Sequence, residues 1–250
     1  MTITVRSKLR KPALPRETAM RLAAAEYQRF LELLHALDAD DWTKPTECPG
    51  WDVRAMAAHA LGMVEMAASM RESARQRKLA HRRGGVFIDA LTALQVDERQ
   101  QMTPAQIMDR FAARAPKAAK SRRRTPSLIR QRPMPERQAV GGHEEGWTLG
   151  YLIDIILTRD PWMHRADIVR VTGAPHMLTA GHDGVLVADI VEEWAGRHGQ
   201  PYELSLTGPA GGAWRRGDSG SQIQMDAIDF CREVSGRGHA DGLMSIKVPF

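Results

Sequence analysis

Residues 148–171, TLGYLIDIILTRDPWMHRADIVRV, carry apolar side chains at spacings of three and four, a period that a long helix keeps on one side and a strand does not. Leu149, Leu152, Ile153, Ile156 and Leu157 open the stripe, and the same period continues onto Asp160, Met163, His164, Asp167 and Val171. A carboxylate and an imidazole four residues apart therefore fall on a core-facing line. Two readings remain open. In one, Asp160 is the N-cap of a new helix with Pro161 in its first turn. In the other the helix runs through, Pro161 removes one backbone hydrogen bond and bends it, and Asp160 and His164 share a buried face. The second is costly unless each group has a partner, and a bound cation would serve both.

The same period recurs upstream. PRETAMRLAAAEYQRFLELLHAL places Pro15 at a first helical position and Met20, Ala23, Tyr27, Phe30, Leu31 and Leu34 on one face. After a turn region rich in Asp, Pro and Gly, a second helix is expected from about residue 52, with Met56, His59, Met63, Met66 and Met70 in line. Thr103, Pro104 and Gln106 form a capping-box pattern that opens a third major helix. Residues 84–100 read as a shorter helix, and 121–146, with three prolines and a Gly-Gly pair, as an exposed connection. His59 taken alone is a core imidazole bonded to a carbonyl. In a bundle, where metal sites are assembled from facing helices, His59 opposite Asp160 and His164 offers two nitrogens and one oxygen, a set that suits zinc and leaves a position open.

Beyond residue 175 the pattern changes. HDGVLVADIVEEWAGRHG is an amphipathic helix ended by Gly199, and YELSLTG, GAWRRG and SQIQM are short alternating segments that read as antiparallel strands. A helix from Asp226 to about Ser235 and a closing strand, LMSIKV, complete a smaller α+β domain. The expected architecture is mainly α: a helical bundle over 1–175 and the smaller domain over 176–250. Gly236, Arg237 and Gly238 form a turn whose arginine is either solvated or able to grip a carboxylate with two parallel hydrogen bonds.

Charge narrows the function classes. The net +5 is local: residues 71–83 and 114–132 hold 14 of the 35 basic side chains and one of the 30 acids, leaving a body near −8. Neither stretch is interleaved with aromatics, so both read as solvated helix ends and loop, with an electropositive rim for an anionic substrate as the minority reading. Nucleic acid is thereby disfavoured as a partner. No apolar run approaches the roughly 20 residues that span a bilayer, so no membrane association is expected. The N-terminus MTITVRSKLRKPALPRE lacks the apolar core of a secretory signal, and Cys48 and Cys231 form no disulfide framework, which together suggest a cytoplasmic, reducing location.

CPGWDVRAMAAHALG, followed about a hundred residues later by LGYLIDIILTRDPWMHRADIVRVTG and finally by DFCREVSGR and a terminal VPF, resembles the mycothiol-dependent maleylpyruvate isomerase family of actinobacteria over nearly the whole chain. The resemblance implies a DinB-like four-helix bundle followed by an α+β domain. It also implies a divalent metal, most simply zinc, held by His59, Asp160 and His164, with aspartate standing where the family's isomerase has glutamate. The implied cosubstrate is mycothiol, whose metal-activated sulfur attacks a small-molecule electrophile in isomerisation or S-transfer, with Arg237 as the candidate catalytic side chain. Cys48 reads as a packed loop residue. The rival function is a metal-stabilised, non-catalytic binding module, in which His143, Glu144 or Glu145 of GGHEEGW would complete the ligand set.

Overall fold

The computed structural model describes residues 9–250, so residues 1–8 of the segment read for a secretory signal lie outside it. Two compact units emerge, one of Arg10–Glu136 and Trp147–His176, the other of Leu9, Arg137–Gly146 and Met177–Phe250.

The larger unit contains α1 (Arg16–His35), α2 (Val53–Ala68), α3 (Met70–Arg83), α4 (Phe87–Asp97), α5 (Pro104–Arg124), α6 (Ser127–Arg130), α7 (Leu149–Tyr151), a π turn (Leu152–Ile156) and α8 (Leu157–Thr172). α1 packs on α5 and α8, and α2 packs on the same two, which closes a ring of four helices flanked by α3 and α4. Tyr27, Phe30, Met56, Leu61, Ile107, Phe111 and Ile168 fill its core, with Phe30 stacked on Phe111 at 5.5 Å. Thr103 Oγ1 accepts from the Gln106 N–H and Gln106 Oε1 from the Thr103 N–H, so the capping box forms as its sequence implies. Pro15 is the N-cap rather than the first helical residue.

At Asp160 the structure takes the run-through reading: Pro161 lies inside α8 and the helix continues to Thr172. Upstream, the π turn alters the face. The Leu157 N–H reaches back to the Leu152 carbonyl, five residues away, and the extra residue rotates the chain, so that Asp154, Ile155, Thr158 and Arg159 are buried while Leu152, Ile153 and Leu157 of the expected stripe are half-buried.

The basic stretch 114–132 is not uniformly solvated. Arg122 is 2% exposed. Its guanidinium donates to Ile153 O at 2.6 and 2.9 Å and to Leu157 O at 3.0 Å, and also to Tyr27 Oη and Thr158 Oγ1. The Ile153 carbonyl is the one a regular α-turn would pair with the Leu157 N–H, and the Leu157 carbonyl is the one that the missing N–H of Pro161 would have filled. One arginine thus serves both irregularities of the site helix. Arg130 is buried as well and pairs with Asp154. Bare carbonyls in a core explain why these two cations leave solvent and their neighbours Arg123 and Arg124 do not.

The smaller unit contains β1 (Gln138–Val140), β2 (His143–Glu145), α9 (Val185–His198), β3 (Tyr202–Thr207), β4 (Gly212–Arg216), β5 (Ser221–Asp226) and α10 (Ala227–Ser235). Within the expected exposed connection, β1 and β2 form a hairpin across Gly141 and Gly142, both at positive φ, as a two-residue turn requires. The three-stranded sheet runs β4-β3-β5, with β4 antiparallel to β3 and β5 parallel to it, which corrects the all-antiparallel expectation. The chain crosses the start of β3 between β4 and β5, and a Cβ at Gly220 would sit 2.3 Å from the Pro201 backbone, so only glycine passes there. LMSIKV closes with a 3-10 turn (Gly242–Ser245) instead of a strand, and Trp194 Nε1 donates to the Leu243 carbonyl at 2.9 Å.

Candidate metal centre

The site begins with CPGWD. Pro49 and Gly50 (φ 79°) make a type II turn closed by the Trp51 N–H on the Cys48 carbonyl, and Asp52 then caps α2 by accepting from the Ala55 N–H at 2.7 Å. Two turns along α2, His59 is 2% exposed on the face toward α8. Trp51 lies against both imidazoles, its ring centre 5.1 Å from that of His59 and 6.1 Å from that of His164, and shields one side of the pair.

Asp160 Oδ1 lies 3.4 Å from His59 Nε2 and 3.4 Å from His164 Nε2. Both separations are long for hydrogen bonds. They match the spacing of about 3.3 Å between two ligands on a tetrahedral zinc with bonds near 2.0–2.1 Å. The far nitrogen of each ring is already engaged: His59 Nδ1 lies 2.8 Å from Gln95 Oε1, and His164 Nδ1 lies 3.3 Å from Asp167 Oδ2. Asp160 Oδ2 is buried without a hydrogen-bond partner among the described residues. Two imidazoles with acceptor-held Nδ1 atoms, a shared carboxylate and an orphaned oxygen fit a divalent cation, and the ligand atoms of His59, Asp160 and His164 all lie within 4.8 Å of one another.

Electrostatics agree with the geometry. Burial opposes ionisation of Asp160, but the two imidazoles outweigh it and hold the carboxyl below its usual range. Burial likewise opposes charge on His164, and the neighbouring Asp160 carboxylate, with Asp167 and Cys48, outweighs it and raises the imidazole well above its usual value.

The three residues singled out from the sequence thus converge. Sequence reasoning passed over Trp51 and Gln95. Cys48, read as a packed loop residue, is half-buried against the bundle core, and its sulfur also lies in a second cluster with His164 and Asp167, again within 4.8 Å. The CPGWD turn is a local signal for Trp51 and Cys48, whereas nothing local marks Gln95. Of the suggested fourth ligands, all in the smaller unit, Glu145 pairs with Arg197 at 2.9 Å, the Glu144 carboxylate lies 3.4 Å from Arg137, and His143 is exposed. Arg237, half-buried in the same unit, follows the C-cap Gly236 (φ 95°) and donates to Ser235 Oγ at 3.2 Å.

The model of the mycothiol maleylpyruvate isomerase N-terminal domain matches residues 23–169. A crystal structure of the mycothiol-dependent maleylpyruvate isomerase superposes with a TM-score of 0.56 at 16% identity, covering 90% of each chain. That of a histidine-to-alanine mutant of the enzyme gives 0.54 at 14% identity, with the same coverage. At these identities the likeness shows the fold, a DinB-like bundle with a following α+β unit. No curated protein matches the chain. Among the described residues no helix is long and apolar enough to cross a membrane.

Proposed function

The chain belongs to the mycothiol maleylpyruvate isomerase N-terminal domain family, and from that premise we propose that it is a cytoplasmic, metal-dependent enzyme that uses a low-molecular-weight thiol, mycothiol, against a small electrophile. The observation that carries this reading is the convergence of His59 Nε2, His164 Nε2 and Asp160 Oδ1 at zinc-like spacing, a three-ligand set of the kind that leaves a coordination position for a substrate.

His59 and His164 would hold the ion through Nε2, and Asp160 would neutralise one of its two charges. A bound divalent ion supplies Lewis acidity, which lowers the pKa of a thiol so that thiolate is present near neutral pH. Trp51 keeps water from one side of the imidazoles, which sharpens every charge interaction beside it. Arg237, in the smaller unit, is the proposed catalytic side chain, a guanidinium able to grip a carboxylate with two parallel hydrogen bonds. Loss of the thiol after addition returns an isomer, and protonation of the adduct completes S-transfer.

One observation favours a second reading. Cys48, His164 and Asp167 form a separate three-residue group, and a structural ion held there would leave a binding module rather than an enzyme. Thiol consumption by metal-loaded protein, with mycothiol and a panel of carboxylate-bearing electrophiles, separates the two. Turnover supports the enzyme, and inertness toward every member with a full complement of metal supports the module.

A further inference from the structure

We propose that Glu72, Gln76 and Gln95 form a polarity relay that fixes the proton of His59 on Nδ1 and so keeps its Nε2 lone pair turned toward Asp160 and His164. The proposal rests on the reading of His59 as a metal ligand, and it concerns residues of α3 and α4 that the proposed chemistry does not touch.

The relay is a chain of three short contacts. Gln76 Nε2 donates to Glu72 Oε1 at 2.9 Å, Gln95 Nε2 donates to Gln76 Oε1 at 2.9 Å, and Gln95 Oε1 lies 2.8 Å from His59 Nδ1. Gln76 and Gln95 are fully buried. The amides' remaining donors have acceptors of their own, the Gly62 carbonyl for Gln76 and the sulfurs of Met63 and Met66 for Gln95.

Direction comes from the outer end. Arg75 donates to Glu72 through Nε and Nη2, at 2.8 and 2.6 Å, and its hydrogen bonds hold the Glu72 carboxyl down at about 2. At neutral pH Glu72 is therefore a charged group that only accepts. It obliges Gln76 to present its NH2 outward and its oxygen inward, and Gln95 must then point its NH2 at Gln76 and its oxygen at His59. Reversing either amide would set two oxygens 2.9 Å apart, at Glu72 and Gln76 or at the fully buried Gln76 and Gln95. An oxygen facing Nδ1 selects the Nδ1–H tautomer of a neutral His59, and Nε2 is left as the free donor atom. Gly62 makes room for the arrangement, because a Cβ there would fall 2.6 Å from Gln95 Cγ.

The experiment uses histidine-labelled protein stripped of metal with a chelator, at a pH where His59 is neutral. Long-range proton–nitrogen correlation reads which ring nitrogen of His59 bears hydrogen. Wild type is expected to show Nδ1–H. Gln95→Leu is expected to move the proton to Nε2, where Asp160 accepts it, and to lower zinc affinity roughly 10- to 100-fold in competition with a chromogenic chelator. Glu72→Gln, at the partly exposed end of the relay, is expected to give a mixture of tautomers and a smaller loss, and it keeps the test available should Gln95→Leu fail to fold. A His59 bearing hydrogen on Nε2 in wild type, or on Nδ1 alone in every folded variant, overturns the relay. Wild type that shows Nδ1–H yet binds no zinc refutes the metal reading and leaves the relay standing.

Discussion

The two walls of the candidate centre reach the same point by opposite means. α2 is a regular helix with a conventional cap at Asp52, and His59 is aimed by side chains that come from α3 and α4. α8 is irregular at its start, and Asp160 and His164 depend on a π turn, a proline and one buried guanidinium that fills the carbonyls both leave behind. A side-chain relay tunes how well a ligand binds without holding up the fold. Backbone irregularity cannot be separated from the fold, because unfilled carbonyls in a core destabilise it directly.

Substitutions can sharpen or break this contrast. The largest effect is expected at the α8 wall: Arg122→Met should destabilise the protein by about 3–5 kcal/mol, since it strips donors from Ile153 O and Leu157 O in a buried site. Arg123→Met, on the exposed side of the same helix, should stay within about 0.5 kcal/mol. Chemical denaturation of both variants reads the difference, and equal midpoints would remove the distinction between the walls. In the smaller unit, Arg237→Ala is expected to lower turnover about a hundredfold with metal content unchanged. Full turnover by that variant would move the anion grip elsewhere.

Asp160→Asn should weaken zinc binding by on the order of tenfold or more and lower the stability of the metal-free protein as the pair with the imidazoles is lost, while the amide keeps the shape and the protein still folds. Chelator competition beside thermal melts measures both, and a variant that unfolds but binds zinc as before would return Asp160 to a purely structural role. The smallest expected effect is a pH dependence at the outer end of the relay. Glu72 has its folded-state pKa depressed from 4.5 to about 2, so its contribution to stability is present above pH 4.5 and is lost as pH falls toward 2. The melting-temperature gap between wild type and Glu72→Gln should therefore narrow over that window, and a gap that widens instead would contradict the ion pair with Arg75.

What could be read in the sequence follows the same division. The helices with a steady period, the capping box at Thr103 and the facing positions of His59, Asp160 and His164 are local or periodic features, and they are there in the structure. The burial of Arg122 was not legible, because a run of arginines gives no sign of which one meets a bare carbonyl on another helix. Leu152, Ile153 and Leu157 were placed on the core stripe by a 3.6-residue period that the π turn interrupts. Gln95 lies 36 residues from His59, and no spacing rule links them, although a glycine in mid-helix at position 62 was a visible irregularity with a packing cause. The parallel pairing of β5 was hidden because strand patterns report which residues alternate and not which neighbour they meet.

A cation held by two imidazoles and the Asp160 carboxylate has a distinct signature in zinc K-edge absorption of protein loaded with one equivalent, in the absence of added thiol. Only nitrogen and oxygen neighbours near 2.0–2.1 Å are expected, with the multiple-scattering pattern of two imidazoles in wild type and its loss in His59→Ala. A sulfur neighbour near 2.3 Å would contradict it, since it would put Cys48 on the ion and shift the centre to the Cys48, His164 and Asp167 cluster.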